Sequence, residues 1–121
     1  MAEPIKSYRD LIAWQKAYGL GLRVYSMAGR FPEAERFGLI GSLRRTATTV
    51  ASNIAQGYGR GNTSDYLWFL KLARGELYQI DTQLLFATDL KYIEPGDYAR
   101  LKSELDEAER VLAGLIKSLG G

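Results

Sequence analysis

The sequence contains no cysteine and no histidine. Disulfides, thiol catalysis, the usual zinc sites and imidazole acid–base chemistry are therefore excluded. It also lacks any apolar run of 18 residues, and residues 1–6 carry charges where a secretory signal needs an apolar stretch. We therefore expect no membrane partner and a cytoplasmic protein.

Proline is scarce and occurs only at positions 4, 32 and 95, and a glycine-rich stretch at 57–61 adds one more interruption. These breakers divide the chain into four long pieces, none of which alternates as a strand would. The length fits one domain, residues 1–121. The predicted helices span about 7–30, 35–56, 64–91 and 96–119. Because the connections are short, the predicted fold is all-α, an up-down-up-down antiparallel four-helix bundle.

Each predicted helix has an apolar stripe that should face the core. The first helix, capped by Ser7, has the stripe Leu11, Trp14, Tyr18, Gly21/Leu22, Tyr25 and Ala28. The second has Leu39, Leu43, Ala47, Val50 and Ile54, and Gly57 is the expected left-handed residue at its end. The third, capped by Thr63 or Ser64, repeats Tyr66, Leu70, Ala73, Leu77, Ile80, Leu84 and Ala87. The fourth repeats Tyr98, Leu101, Leu105, Ala108, Leu112, Leu115 and Leu119.

The third helix is apolar over more of its circumference than one core can use, so a second interface is expected there. The second helix presents small residues that would allow another helix backbone to approach closely. These features predict a homo-oligomer, with interface residues Ala47, Ala51, Asn53, Ala55 and Trp68. For Asn53, a hydrogen bond across an ordinary helix contact is an alternative reading.

Arginines at three positions are the first candidates for nucleic-acid binding: Arg44, Arg45 and Arg60. Arg44 and Arg45 project about 100° apart on a helix, so they cannot face one surface. The alternative is that they pair with carboxylates, either between subunits or within the helix, for which Glu35, Glu76 and Asp81 are the candidates. Arg60 lies in a glycine loop that could wrap a phosphate or simply form a cap and a tight turn.

The net charge of +2 is too small to indicate a nucleic-acid partner by itself. Residues 1–62 carry a net +5 and residues 63–121 a net −3, which indicates either a basic and an acidic face or helix faces that pair with each other. The acidic pair Asp106 and Glu109 lies on the polar side of the last helix, where nothing would raise a carboxyl pKa. We therefore expect no enzyme, no metal and no cofactor.

Several motifs in order resemble a bacterial four-helix bundle family named for proteins encoded in intervening sequences of 23S ribosomal RNA. The similar segments are residues 10–17, 31–39, Arg44-Arg45, 52–57, Gly59-Arg60 and 72–77. The resemblance implies a subunit of a ring-like homopentamer, usually of unknown function, with suspected nucleic-acid binding. It also implies kinship with accessory proteins of diversity-generating retroelements, which partner a reverse transcriptase.

Two positions depart from the family pattern. This chain has Ser42 where the family usually has Gln, and Gln56 where it usually has Glu. The second change removes a carboxylate that could have paired with Arg44 or Arg45. The sequence thus favours a non-enzymatic, pentameric bundle associated with nucleic acid, the alternative being a protein scaffold or a reverse-transcriptase accessory without nucleic-acid binding of its own.

Overall fold

The computed structural model describes residues 4–121, which form four α-helices: α1 (Ile12–Ala28), α2 (Gly41–Tyr58), α3 (Thr63–Asp89) and α4 (Pro95–Ser118). No strand occurs among these residues. Residues 1–3, part of the stretch that argued against a secretory signal, lie outside the described range. None of the described helices has both the length and the apolar character needed to span a bilayer.

The helices form an antiparallel bundle in which α1 packs against α2 and α4, and α3 packs against the same two helices. Side-chain pairs show that the neighbouring helices run antiparallel. On α2 and α3, Ser42 pairs with Gln83 and Asn53 with Glu76, so residue numbers rise on one helix as they fall on the other. On α1 and α4, Lys16 pairs with Glu107 and Arg23 with Glu104, which is the same relation.

The ends of the helices differ from the predicted ones where local caps intervene. Ser7 does cap a helix, but it is a single turn of 3-10 helix, Tyr8–Asp10, and extended backbone at Leu11 delays α1 until Ile12. A 3-10 turn (Glu33–Glu35) and one wide turn (Arg36–Ile40) precede α2, which begins six residues later than predicted.

The expected end of α2 at Gly57 was wrong, as was the expected cap of α3. Gly57 is helical and buried because Phe69 and Tyr66 pack against it, so close that an added methyl group would lie 2.8 Å from the Phe69 Cβ. The left-handed residue is Gly61, with φ of +83°. Asn62 caps α3, since its side-chain oxygen accepts a hydrogen bond from the Asp65 amide at 2.8 Å.

The core follows the predicted stripes on α2 and α3 and most of the stripe on α4. On α3 the residues Leu70, Ala73, Leu77, Ile80, Leu84 and Ala87 are all buried. The stripe on α4 shifts by one residue in its last turn, where Ile116 is buried and Leu115 is half-buried.

On α1 the predicted stripe is wrong by about one residue of rotation. The buried residues of α1 are Ala13, Ala17, Leu20, Gly21, Val24 and Ala28. Tyr18, Leu22 and Tyr25, which were expected inside, are exposed. The reason is the close approach of α1 to α2: a methyl group on Gly21 would lie only 2.5 Å from the Ala47 carbonyl oxygen. Small residues must therefore occupy the contact, and the aromatic side of α1 turns outward.

We expect Gly21→Ala to destabilise the protein by about 1–3 kcal/mol, because the backbone of α2 cannot make room for the added methyl group. Gly114→Ala is the matched control, since Gly114 also lies in a helix but nothing lies within 4 Å of its added methyl group. That control should stabilise the protein by about 1 kcal/mol. Urea unfolding followed by circular dichroism measures both, and equal effects of the two changes would contradict the proposed close contact.

Candidate assembly and anion-binding surfaces

Because α1 is rotated so that its aromatic side is exposed, an apolar groove forms between α1 and α2, with a volume of about 320 Å³. Its α1 wall consists of Trp14, Tyr18, Gly21, Leu22 and Tyr25, with Tyr8 at one end. Its α2 wall consists of Ala47, Thr48, Ala51, Ser52 and Ala55. We call these residues the α1–α2 groove. One wall is thus aromatic and the other is made of small side chains.

Ring contacts fix the shape of the aromatic wall. Trp14 stacks on Tyr18 with ring centroids 4.9 Å apart, and Tyr8 packs edge-on against Trp14 at 5.3 Å. At the other end, the Arg44 guanidinium lies over the Tyr25 ring, 4.3 Å from its centroid. Because each aromatic ring is held by a neighbour, the groove is preformed in the single chain.

A second apolar surface lies on the outer side of α3. Trp68 and Phe86 are 59% and 62% exposed, and they share a side of the helix because 18 residues make five turns. Leu72 is exposed one turn from Trp68, and Leu85, the residue before Phe86, is exposed about 100° further around the helix. We call Trp68, Leu72, Leu85 and Phe86 the α3 face. The excess apolar circumference expected for this helix is therefore at the surface of the single chain.

The remaining edges of the bundle are closed by charge pairs rather than by apolar contacts. Lys16 pairs with Glu107 at 2.8 Å and Arg23 pairs with Glu104, which joins α1 to α4. Lys102 joins α4 to Asp81 of α3 at 3.3 Å and also contacts Asp106 at 2.8 Å. The outer side of α4 is therefore charged and well suited to water, unlike the α1–α2 groove and the α3 face.

Shifted pKa values in the bundle have structural causes. Burial, followed by the hydrogen bond that Tyr98 donates to Asp81, raises the pKa of Tyr98 to about 12. The hydrogen bond from Lys16 lowers the pKa of Glu107. The two carboxylates of the acidic pair, Asp106 and Glu109, have different partners. Asp106 contacts Lys102, whereas Glu109 accepts hydrogen bonds from Arg74 and Tyr78.

The three predicted arginines lie in different surroundings and do not form one cluster. Arg44 is half-buried, and its Nε donates to the Tyr25 carbonyl at 3.2 Å, near the carboxyl end of α1, where a cation is favoured. Arg45 is exposed and has no ion-pair partner among residues 4–121. Arg60 is exposed and lies 4.9 Å from the ring centroid of Phe69.

Among residues 4–121, none of these arginines pairs with Glu35, Glu76 or Asp81, and pairing between subunits stays a prediction. Each of these carboxylates already has another partner. Glu35 accepts from the Tyr92 hydroxyl at 2.9 Å, Glu76 from the Asn53 amide at 2.7 Å, and Asp81 from the Tyr98 hydroxyl at 2.8 Å. Arg44 uses a backbone carbonyl instead, a partner for which the sequence offers no pattern.

The predicted interface residues divide into three groups. Ala47, Ala51 and Ala55 line the α1–α2 groove, and Trp68 belongs to the α3 face. Asn53 joins α2 to α3 through Glu76 within the chain, as in the alternative reading. Sequence reasoning missed the aromatic wall of the groove, because Trp14, Tyr18 and Leu22 repeat at the spacing of a core stripe.

The structure also shows the surroundings of Ser42 and Gln56, the two residues that depart from the family pattern. The Ser42 hydroxyl receives a hydrogen bond from the Gln83 amide and so links α2 to α3. Gln56 is exposed, and it lies about 16 Å along the helix from Arg45. A glutamate at position 56 would therefore not reach Arg45 of the same chain.

Comparison with known proteins agrees with this fold. The family model of the 23S rRNA-intervening sequence protein matches residues 9–114. The chain therefore belongs to that family. A crystal structure of a protein with unknown function, from the S23 ribosomal protein family of Bacteroides thetaiotaomicron, superposes with a TM-score of 0.81 at 18% identity. The alignment covers 88% of this chain and 96% of that one. No curated protein is significantly similar to this chain.

The different surroundings of the neighbouring arginines predict different effects of replacement. Arg44→Gln should lower the free energy of unfolding by about 1–3 kcal/mol, because the change removes the contacts with the Tyr25 carbonyl and ring. Arg45→Gln should change it by less than about 0.5 kcal/mol. Urea unfolding of the two variants tests this, and a larger loss for Arg45→Gln would reverse the assignment.

Proposed function

We propose that this protein is a non-enzymatic scaffold that works as a ring of five identical subunits. The observation that carries the proposal is the presence of two unlike apolar surfaces, the α1–α2 groove and the α3 face. Aromatic side chains of this size are costly to leave in water, and a groove that gathers several of them is typical of an interaction site.

The shapes of the two surfaces favour contact between unlike faces. The groove is concave with a wall of small side chains, whereas the α3 face is the convex side of a helix that carries large side chains. Contacts between two different surfaces join subunits head to tail, and they close into a ring when the rotation between subunits allows it. The number five follows the resemblance described above, and each copy has a mass of 13.5 kDa.

Light scattering of the purified protein should therefore give about 67 kDa, five times the mass of one chain. Leu22→Glu in the groove and Trp68→Glu on the α3 face should each reduce this mass while the helical circular dichroism is retained, because both residues are exposed in the single chain. Ser103→Glu, an exposed site on the charged α4, is the control and should leave the mass unchanged.

Mixing the two disrupted variants tests the head-to-tail arrangement. The Leu22→Glu chain keeps its α3 face and the Trp68→Glu chain keeps its groove, so one intact contact remains. An equal mixture should form a dimer of one chain of each kind. Absence of that dimer, or a wild-type protein that is monomeric at micromolar concentration, would contradict the proposal.

A second candidate function is association with nucleic acid, which is favoured by the unpaired cations of the described residues. Arg45 and Arg60 are both exposed and neither contacts a carboxylate of residues 4–121. A ring of five subunits has a net charge of +10, since each chain has +2. Such a ring would concentrate positive potential that a single chain presents only weakly. The name of the family, which refers to ribosomal RNA, is consistent with this function.

Fluorescence anisotropy with a labelled 20-nucleotide uridine RNA tests this function. Binding should weaken linearly on a plot of log affinity against log salt concentration. Arg45→Gln with Arg60→Gln should reduce that slope by about 1.4, because about 0.7 is lost for each phosphate contact to a single strand. A wild-type protein that binds no RNA at low salt would exclude the function.

A further inference from the structure

A basic groove lies between α3 and α4, on a side of the bundle that the predicted arginines do not reach. Its volume is about 670 Å³, and three cationic residues line it: Lys71 and Arg74 from α3 and Lys117 from α4. Gly75, Tyr78, Ala113 and Ile116 complete its walls together with Gly121. We call this concavity the α3–α4 basic groove.

The charges in this groove are not balanced as they are elsewhere on the bundle. At the α1–α4 edge each cation has its own carboxylate, as Lys16 has Glu107. Among the side chains of residues 4–121, the acidic partner in the α3–α4 basic groove is Glu109, which pairs with Arg74 at 2.8 Å. Lys71 and Lys117 are exposed and make no ion pair with residues 4–121. Two positive charges therefore remain without a partner.

Arg74 is held in a fixed position, while four of its five N–H donors make no hydrogen bond to residues 4–121. Its Nε donates to Glu109 at 2.8 Å and to the Tyr78 hydroxyl at 3.2 Å, and the Tyr78 hydroxyl itself donates to Glu109 at 2.9 Å. The two terminal nitrogens of Arg74 make no hydrogen bond to residues 4–121. Those nitrogens form the planar fork that binds phosphate oxygens in pairs. Holding the guanidinium in advance reduces the entropy lost when a ligand binds.

The floor of the groove leaves room for a ligand. Gly75 lies one residue after Arg74, and an added methyl group there would meet nothing within 4 Å. Ala113, on the facing helix, is also small. The concavity is much larger than a single phosphate group, and its cations lie on both walls. This shape fits a chain of linked phosphates better than one isolated anion.

We propose that the α3–α4 basic groove binds the phosphate backbone of a single nucleic-acid strand. The terminal nitrogens of Arg74 donate to one phosphate, while Lys71 and Lys117 neutralise neighbouring phosphates as point charges. The proposal rests on the nucleic-acid association proposed above, and it adds a site that is separate from Arg45 and Arg60.

The test is the double variant Lys71→Gln with Lys117→Gln, measured by anisotropy with the labelled 20-nucleotide uridine RNA. Loss of two phosphate contacts should reduce the salt slope by about 1.4 and weaken binding about 25-fold at 0.1 M salt. Arg74 is left unchanged because its removal would leave Glu109 without its cation. Lys6→Gln with Lys91→Gln removes two exposed lysines elsewhere and should leave the slope and the affinity nearly unchanged.

The outcomes separate this proposal from the one on which it rests. If the wild-type protein binds no RNA, both proposals fail. If it binds RNA and the groove variant binds as tightly as the control, nucleic-acid association stands and the groove assignment is wrong. Light scattering and circular dichroism of both variants must match the wild type, since neither pair of lysines makes an ion pair with residues 4–121.

A further measurement distinguishes a strand from free phosphate. Inorganic phosphate is added to the RNA complex at constant ionic strength. A strand that contacts several cations should not be displaced by millimolar phosphate, because a single phosphate cannot replace the linked contacts. Displacement at that concentration would show a site for a small phosphate compound and would overturn the proposal of a strand.

Discussion

The structure depends on how closely α1 approaches α2. Gly21 lies against the backbone of Ala47 with no space for a methyl group. The contact between the two helices must therefore consist of small residues, and α1 buries Ala13, Ala17 and Ala28 rather than its aromatic side chains. The rotation of α1 that this requires exposes Tyr18, Leu22 and Tyr25. The α1–α2 groove is thus a direct consequence of a close backbone contact in the core.

The same rotation also explains how the bundle divides its surface. With the aromatic side of α1 exposed beside α2, its charged side lies next to α4, and Lys16 and Arg23 meet Glu107 and Glu104 there. Exposed ion pairs of this kind add little stability, about 0–1 kcal/mol each. Their importance lies in making α4 a hydrated surface. Exposed apolar surface is left on α1, α2 and α3.

Polar contacts between α2 and α3 set the register of these two helices. The charged groups that lack such contacts are available to bind a ligand. Asn53 donates a hydrogen bond to Glu76, and Gln83 donates one to Ser42. These two hydrogen bonds lie at least two helical turns apart along the helices. Glu35, Glu76 and Asp81 each accept a hydrogen bond from an uncharged side chain, and the exposed cations Arg45, Arg60, Lys71 and Lys117 make no ion pair with residues 4–121. These exposed cations are the starting point of the anion-binding proposals.

The sequence by itself determined the four helices, the buried stripes of α2 and α3, and the excess apolar surface on α3. These features depend on local breakers and on the 3.6-residue period, both of which are properties of a single segment. The rotation of α1 was decided by the tertiary structure, since Trp14, Tyr18 and Tyr25 repeat at helical spacing just as Ala13, Ala17 and Val24 do. Which of two stripes is buried depends on the space between two backbones, and no single helix carries that information. The same holds for Arg44 and the α3–α4 basic groove, because their partners come from other helices.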